Sequence, residues 1–155
     1  MTSKERVLKR ERNRGKAAAL DLAERAPQMD GTALIEEQDN VPAWSEKAVY
    51  TTKHVGCPVQ DDGQVYTILM PHTPAHNPGS RPAGLRAIYS LQHTKDPAKA
   101  KPWLAPYGTS GLYAVDECAI DSGHVWRNLY ANNEFAPSVL PERWEALGTV
   151  EEVQG

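Results

Sequence analysis

The sequence predicts a mainly β fold with an N-terminal α-helix and two tandem small antiparallel β modules. Three observations support this: a run of strong helix formers at the N-terminus, a remainder with short β-branched segments between prolines and glycines, and an internal repeat. The predicted divisions are an N-terminal helical docking segment 1–40, a first β module 41–92, a linker 93–102, a second β module 103–150 and a tail 151–155.

One long helix is predicted from residue 2 or 3 to about residue 26, because strong helix formers fill this stretch and Pro27 follows it. Its large apolar residues in the second half are Leu20 and Leu22, flanked by alanines. A helix that is apolar over part of its length is marginal alone, so we expect it to pack on a partner surface. Asp30 is expected to cap a short second helix.

Four later segments have the β-branched and aromatic character of strands and are bounded by turn-forming residues. They are Val49–Thr52, Val65–Met70, Leu112–Val115 and Val125–Tyr130. Asp62-Gly63 and Ser122-Gly123 stand where hairpin turns would, since glycine accepts the positive φ of such turns. The polar, proline-bounded stretch 93–102 is predicted to be a linker.

The second half of the chain repeats the aromatic residues, cysteine, turn glycine and proline of the first at similar spacing. The repeat aligns Trp44 with Trp103, Tyr50 with Tyr113, Cys57 with Cys118, residues 63–66 with 123–126, His72-Thr73 with Asn132-Asn133, and Arg81-Pro82 with Leu140-Pro141. The first copy ends on Ile88-Tyr89 and the second on Trp144 and Leu147. An offset near 60 residues with few gaps indicates an internal duplication.

Each copy carries a tryptophan, a tyrosine, a turn glycine followed by valine and an aromatic residue, a polar loop, and a proline. The first copy supplies Trp44, Tyr50, Gly63, Val65, Tyr66, His72, Thr73 and Pro82. The second supplies Trp103, Tyr113, Gly123, Val125, Trp126, Asn133, Pro137, Pro141 and Trp144. On these residues, about 20–148 of the chain resembles the chitin-binding type 3 modules, carbohydrate-binding module families five and twelve, and their relatives in phage and prophage tail proteins.

The resemblance implies a structural or attachment module more directly than a sugar site. Secreted chitin-binding forms carry adjacent tryptophans just after the second strand, where this chain has Thr67-Ile68 and Arg127-Asn128. The glycine-aspartate turn of the family is also replaced, by residues 54–56 and 115–117. The helix joined through the acidic stretch 33–44 is similar to the phage versions.

We therefore expect a non-enzymatic structural component of a phage or phage-like tail, associated with the tail, baseplate or fibre. It would be assembled in the host cytoplasm into the virion, with other virion proteins as partners, as a homo-oligomer, and with a host-surface glycan as a further ligand. The alternative is a free-standing module that binds chitin or cell-wall glycan. A third hypothesis is an accessory domain for a chitinase-like partner.

The charge is uneven: residues 1–16 hold seven lysines and arginines against two glutamates, whereas the whole chain has net charge −3. This favours docking onto an acidic partner. The predicted docking residues are Lys4, Arg6, Lys9, Arg10, Arg12, Leu20 and Leu22. A solvated helix face or frayed tail is the alternative. Nucleic acid is not expected, since the basic stretch has no aromatic residue for base stacking, and neither a membrane span nor a secretory signal is predicted.

Aromatic and polar residues of the two copies are the candidates for a carbohydrate site, because aromatic faces stack on sugar rings and amides bond to hydroxyls. Trp103 and Trp144 are predicted to be partly exposed, whereas Tyr66 and Trp126 are predicted in the core. The candidate set is Trp103, Trp144, Asn132, Asn133, His72 and Asn77. Core packing of the rings and turn formation by the loops remain the alternative.

No metal, cofactor or catalytic site is predicted. His72 and His76 have the spacing of a helical zinc pair, but Pro74 and Pro78 prevent a regular helix and no fourth ligand is apparent. The two cysteines lack CxxC spacing and are expected to be buried thiols. No nucleophile, metalloprotease or phosphate-binding motif occurs, so an enzyme is not expected.

Overall fold

The computed structural model describes residues 1–155 and contains an N-terminal helix followed by a three-stranded and a four-stranded sheet. The predicted helix and antiparallel sheets are therefore present. Helical residues make up 35% of the chain and strand residues 24%, so "mainly β" is correct only in part. Short 3₁₀ turns account for much of the difference, since seven of them interrupt the chain.

Helix α1 spans Ser3–Arg25, as predicted, and begins at a capping box in which Thr2 and Glu5 bond each other's backbone N–H. Every residue from 1 to 17 is exposed, and we call this segment the arm. Burial begins at Ala18 and Ala19, which are half-buried, and is complete at Leu22, which is 0% exposed. The prediction that Leu22 docks onto a partner is therefore wrong, because its side chain lies in the core of its own chain. That core contains Leu22, Ala26, Leu34, Ile35, Val41 and Val65.

Helix α2 spans Gly31–Glu36, and the predicted cap is confirmed: the Asp30 carboxylate accepts the Ala33 N–H at 2.9 Å. Gly31 lies directly against the backbone of His93, where an added Cβ would be 2.3 Å from the carbonyl oxygen. Only glycine fits this close approach. The contact places the helical segment on the stretch that joins the two sheets.

The first sheet has the order β1-β2-β3, with all pairs antiparallel. Its strands are β1 (Pro58–Asp61), β2 (Gln64–Ile68) and β3 (Tyr89–Leu91). The predicted hairpin turn between β1 and β2 is confirmed, with φ of 50° at Asp62 and 77° at Gly63. Its core contains Tyr50, Val59, Tyr66, Ile68, Tyr89 and Leu91.

The second sheet has the order β4-β5-β6-β7, in which β4 runs parallel to β5 and the other pairs are antiparallel. Its strands are β4 (Lys101–Pro102), β5 (Cys118–Asp121), β6 (His124–Asn128) and β7 (Trp144–Thr149), followed by α3 (Val150–Gln154). The turn at Ser122-Gly123 also has positive φ, 53° and 75°, as predicted. A bulge between Val125 and Trp126 shifts the register of β6 against β7.

Two predicted strands are wrong. Within Val49–Thr52 and Leu112–Val115 only Tyr50 and Tyr113 pair, in isolated bridges to His72 and Asn133. Their neighbours Val49 and Val115 are exposed at 60% and 43%, so β-branched composition alone did not produce sheet pairing there.

The stretch 93–102, predicted as a linker, is instead packed into the body. His93 and Thr94 are buried, Thr94 pairs with Cys118, and Lys101-Pro102 forms β4 against β5. Of the two prolines that suggested a linker, Pro97 begins a 3₁₀ turn, Pro97–Lys99, capped by Asp96, and Pro102 ends β4. The segment therefore joins the sheets through contacts rather than as a free spacer.

The same set of backbone hydrogen bonds occurs at corresponding residues of the two sheets. Trp44 N–H donates to Gln60 O and Trp103 N–H to Ile120 O; Gly56 N–H donates to Ile68 O and Asp116 N–H to Asn128 O; Leu69 N–H donates to Ile88 O and Leu129 N–H to Arg143 O. These bonds match the alignment at the tryptophans. At two places the strand pairing corrects the alignment by one residue. Pro58 rather than Cys57 corresponds to Cys118, and His72 corresponds to Asn133 rather than to Asn132.

Candidate functional site

The two tryptophans predicted to be partly exposed differ in position. Trp144 is buried, at 5% exposure, so its predicted exposure is wrong. Its ring packs edge-on against Tyr113, and its indole N–H donates to Phe135 O at 3.0 Å. Trp103 is half-buried on the same core, with no partner for its indole N–H. Trp103 is therefore partly exposed, as predicted, whereas the ring of Trp144 presents no open platform to a sugar.

Trp126, predicted as core, is half-buried, whereas Tyr66 is buried at 1% exposure, as predicted. Val125 and Trp126 lie on opposite faces of β6, and Trp126 packs against the core of Tyr113, Ala119 and Trp144. Its indole N–H donates to Asp121 O at 3.0 Å.

The predicted amide pair is divided between surface and core. Asn133 is 0% exposed, and its side-chain N–H donates to the amide oxygen of Asn128 at 2.8 Å. Asn132 is exposed, with a positive φ of 53° that asparagine tolerates in turns. Of this pair, only Asn132 is available to a ligand.

His72 and Asn77, predicted for the same site, belong to the first sheet. The ring of His72 donates from Nδ1 to Met70 O at 2.9 Å, so its Nε2 accepts from the Tyr89 hydroxyl. That hydroxyl in turn accepts the indole N–H of Trp44 at 2.8 Å. His72 is thus part of a structural chain of hydrogen bonds, and Asn77 lies exposed after a 3₁₀ turn. The six candidates do not form one surface.

An exposed aromatic surface lies in the loops that connect β6 to β7, and we call it the aromatic patch: Tyr130, Phe135 and Arg143. Tyr130 is 50% exposed and Phe135 is 36% exposed. The guanidinium of Arg143 lies over both rings, 5.1 Å from the centroid of Tyr130 and 5.4 Å from that of Phe135. Asn132 stands in the loop between the two aromatic residues.

Buried side chains hold this patch from beneath. The Asn128 amide bonds both the N–H and the carbonyl of Tyr130, at 3.2 and 2.6 Å. The Asn133 amide oxygen accepts the Phe135 N–H, and Trp144 donates to the Phe135 carbonyl. Asn133 and Trp144, which were predicted to touch a sugar, therefore position Phe135, and Asn128 positions Tyr130. Such support preorganises a surface and lowers the entropy lost on binding.

Sequence reasoning missed all three members of the aromatic patch. Tyr130 was assigned to a strand that in fact ends at Asn128. Phe135 carried a usable signal, because it is the only phenylalanine in the chain and stands in a polar, proline-containing loop. Arg143 carried none, since only the fold brings it between the rings.

A second cluster lies where the two sheets meet, and we call it the junction: Arg86, His93, Gly111 and Tyr113. The His93 ring stacks on Tyr113 with centroids 3.6 Å apart and donates from Nε2 to Gly111 O at 2.7 Å. Burial, with the nearby Arg86 charge as a smaller cause, lowers the pKa of His93 to about 4. His93 is therefore neutral at pH 7.

Arg86 is unusual in being a buried cation, at 8% exposure. Its Nη1 donates to Ala105 O at 2.8 Å, whereas Nε and Nη2 have no partner. Burial lowers the pKa of this guanidinium. Gly111 has a φ of 79°, which residues with a Cβ rarely adopt, so the backbone of the junction favours glycine at this position.

Three concave surfaces remain, of which the smallest, about 350 Å³, lies between α2 and residues 98–101. An apolar groove of about 480 Å³ runs between α1 and the first sheet, and a cleft of about 490 Å³ lies between β2 and the Pro102–Leu104 segment. The cleft contains an ion pair between Arg81 and Asp61. No three His, Cys, Asp or Glu side chains are grouped so that they could hold a metal ion.

Cys57 and Cys118 are free thiols, and burial raises the pKa of both, that of Cys118 to about 11. Cys118 is buried, as predicted for both cysteines, whereas Cys57 is only half-buried.

None of the helices has the length and apolar character needed to cross a bilayer. Comparison of the chain with models of known protein families gives no match, and comparison with curated proteins gives none either.

Proposed function

We propose that this chain is a non-enzymatic structural component of a phage or phage-like tail, in which α1 docks into the assembly and two tandem carbohydrate-binding-like modules lie outside. The observation that carries the proposal is the arm. All of its residues are exposed, and none of its seven lysines and arginines forms an ion pair within the chain. A helix of this kind needs a partner for stability, and its charge selects an acidic one.

The tandem arrangement is supported by the backbone hydrogen bonds that recur at corresponding residues of the two sheets. Equivalent bonds recur at the tryptophans, at the start of β1 and β5, and at the ends of β2 and β6. Two units that keep the same bonds with different side chains are the expected outcome of a duplication. The resemblance to phage tail modules supplies the setting: a virion protein assembled in the host cytoplasm beside other tail proteins.

Attachment to a host-surface glycan is the second part of the proposal, and the aromatic patch supports it. Tyr130 and Phe135 expose ring surface, Arg143 supplies hydrogen-bond donors between them, and Asn132 adds an amide. A free-standing carbohydrate-binding module, the alternative function, would use the same patch without needing the arm.

Deleting residues 1–17 is expected to abolish incorporation of the protein into particles. The deletion removes the exposed half of α1 and leaves the buried core around Leu22 in place, so the body should still fold. Incorporation is measured by immunoblotting of purified particles, with circular dichroism of the truncated protein as the folding control. Normal incorporation of the truncated chain would refute the docking role of α1.

Replacing Tyr130 or Phe135 with alanine is expected to weaken glycan binding about 10-fold, or about 1.4 kcal/mol, because each ring supplies stacking area. The measurement is binding to a glycan array, followed by calorimetry on the best ligand. Tyr107→Ala is the matched control, since Tyr107 is 59% exposed but lies on a different loop. If the folded wild-type protein binds no glycan, or if the Tyr107 variant loses as much affinity, the attachment role is wrong.

A further inference from the structure

Arg143 is the one arginine outside the arm that is open to solvent and has no carboxylate partner. Arg25, Arg81 and Arg127 each form an ion pair, and Arg86 is buried. Arg143 is half-buried and takes part in none of the ion pairs of the chain. Its guanidinium is held instead by the two rings of the aromatic patch. Such a cation is free to pair with an anionic group from outside the chain.

The acidic residues that lie near Arg143 in the sequence leave its charge uncompensated. Glu134 and Glu142 are exposed, and neither forms an ion pair with the guanidinium. Glu145 pairs with Arg127 instead. The two exposed carboxylates would repel a ligand that carries many closely spaced negative charges. The patch therefore suits a ligand with a single anionic group more than a polyanion.

A ligand that stacks on both rings also covers this guanidinium. The Cζ atom of Arg143 lies 5.1 Å from the ring centroid of Tyr130 and 5.4 Å from that of Phe135. Removing a cation from water without giving it a partner opposes binding, and an anionic partner offsets that loss. A neutral sugar would leave the charge of Arg143 covered and unpaired, whereas an acidic sugar would pair with it. The position of Arg143 thus discriminates between the two classes of glycan.

The guanidinium of Arg143 also has the geometry for this pairing. Its planar set of N–H donors matches the two oxygens of a carboxylate or of a phosphate. Contact with both rings restricts the side chain before the ligand arrives, so less conformational entropy is lost on binding. The arm carries more positive charge but has no aromatic residue, so it cannot combine an ion pair with stacking on a sugar ring.

We propose that the aromatic patch selects an acidic glycan. The sugar stacks on Tyr130 and Phe135, and a carboxylate or phosphate group of the same glycan pairs with Arg143. This inference rests on the glycan-attachment role proposed above and adds the chemical class of the glycan.

The test uses the full chain and four probes that form two matched pairs. Sialyllactose carries one carboxylate, and its methyl ester is the same glycan without the charge. Lactose phosphate carries one phosphate group, and lactose is its neutral counterpart. Dissociation constants are measured by titration followed through NMR chemical shifts, which detect weak binding.

We expect the wild type to bind at least one acidic probe about 10-fold more tightly than its neutral counterpart, because charge-assisted hydrogen bonds are the stronger ones. The pair with the larger difference identifies the anion as carboxylate or phosphate. Arg143→Gln should abolish the difference without weakening the binding of the neutral probes. Arg143→Lys should keep only part of it, since an ammonium group retains the charge but lacks the planar set of donors.

The matched control removes three guanidinium groups from the arm, through Arg6→Gln, Arg10→Gln and Arg14→Gln in one chain. All three positions are exposed and lie outside the aromatic patch, so the preference for the acidic probe should be unchanged. Circular dichroism checks the fold of each variant. If the arm variant loses the preference, the acidic glycan binds the arm and the inference is wrong.

Equal affinities for acidic and neutral probes, or a preference that survives in Arg143→Gln, would contradict selection of an acidic glycan. Glycan attachment itself would still stand if Tyr130→Ala weakens the binding of the neutral probes. A neutral best ligand on the glycan array would contradict the selection in the same way, and an acidic one would support it. Tighter binding of a thymidine oligonucleotide through Arg143 would assign the patch to nucleic acid instead. A folded wild type that binds no glycan at all removes attachment and selection together and leaves the docking role of α1 standing.

Discussion

Acidification from pH 7 to pH 4 is expected to remove about 3 kcal/mol of folding stability through His93 alone. The pKa of His93 is about 4 in the folded protein, against an ordinary value of 6.5. Between these values the unfolded chain binds a proton that the folded chain does not, so stability rises with pH in this window. The contribution is complete above pH 6.5 and is lost as the pH falls toward 4, at up to about 1.4 kcal/mol per pH unit.

The physical cause is the closed environment of the junction. The His93 ring is enclosed by Tyr113 and by the Gly111 carbonyl, and the positive charge of Arg86 is a smaller cause of its lowered pKa. Protonation would place a second positive charge beside a buried guanidinium with two unpartnered nitrogen atoms. Because the ring is 6% exposed, solvent does not screen this repulsion effectively.

Urea unfolding from pH 4 to pH 7.5 measures this effect by comparison of the wild type with His93→Gln. Glutamine can still donate to the Gly111 carbonyl but cannot take up a proton in this range. Below pH 6.5 the free energy of unfolding of the wild type should therefore fall, relative to that of His93→Gln, by up to about 1.4 kcal/mol per pH unit. His76→Gln, at an exposed position, is the matched control. Parallel curves for wild type and His93→Gln would contradict the prediction.

Features set by neighbouring residues could be predicted from the sequence. The bounds of α1, the Asp30 cap and both hairpin turns depend on local propensity and on glycine at a positive φ. What could not be predicted depends on distant pairing. Thr94 pairs with Cys118 and Gln64 donates to Pro102 O, and these contacts turn a proline-bounded "linker" into part of the body.

The prediction of the carbohydrate-site residues was wrong for a related reason. An aromatic residue at a strand end has no local signal that says which face it will take. Trp144 turned inward onto Tyr113, while Tyr130 and Phe135 remained outside. The polar loop was located correctly as a region, but the side chain of Asn133 is buried and forms hydrogen bonds with Asn128 and Phe135 instead of facing a ligand.

The two sheets keep the same backbone bonds with opposite interior chemistry at one position. Ile68 in the first sheet and Asn128 in the second both accept a hydrogen bond from the loop before their hairpin and donate one back to it. Ile68 is 1% exposed and Asn128 is 0% exposed. The first sheet fills the position with an apolar side chain, and the second fills it with an amide that ties together the loops beneath the aromatic patch. Only the second sheet thereby gains a rigid support for exposed aromatic residues.

Asn128→Ala is accordingly expected to destabilise the protein by about 3–4 kcal/mol, since it leaves several buried groups without partners at once. The amide nitrogen lies within 3.0 Å of the carbonyl oxygens of Tyr113, Ala114 and Tyr130, and its oxygen accepts from Tyr130 and Asn133. Urea unfolding measures the loss, with the exposed Asn77→Ala as control, for which less than about 0.5 kcal/mol is expected.

Asn128→Ile separates the two roles of this position, because isoleucine is the residue that the first sheet carries there. If volume alone mattered, isoleucine would restore the stability lost in Asn128→Ala. We expect no such rescue, since the carbonyl oxygens around the amide stay unpaired in a buried site. Both variants should also free the loop that carries Tyr130, so any ligand bound at the aromatic patch should weaken along with the stability. Recovery of wild-type stability by isoleucine would show that the amide network is not what holds the second sheet and its surface together.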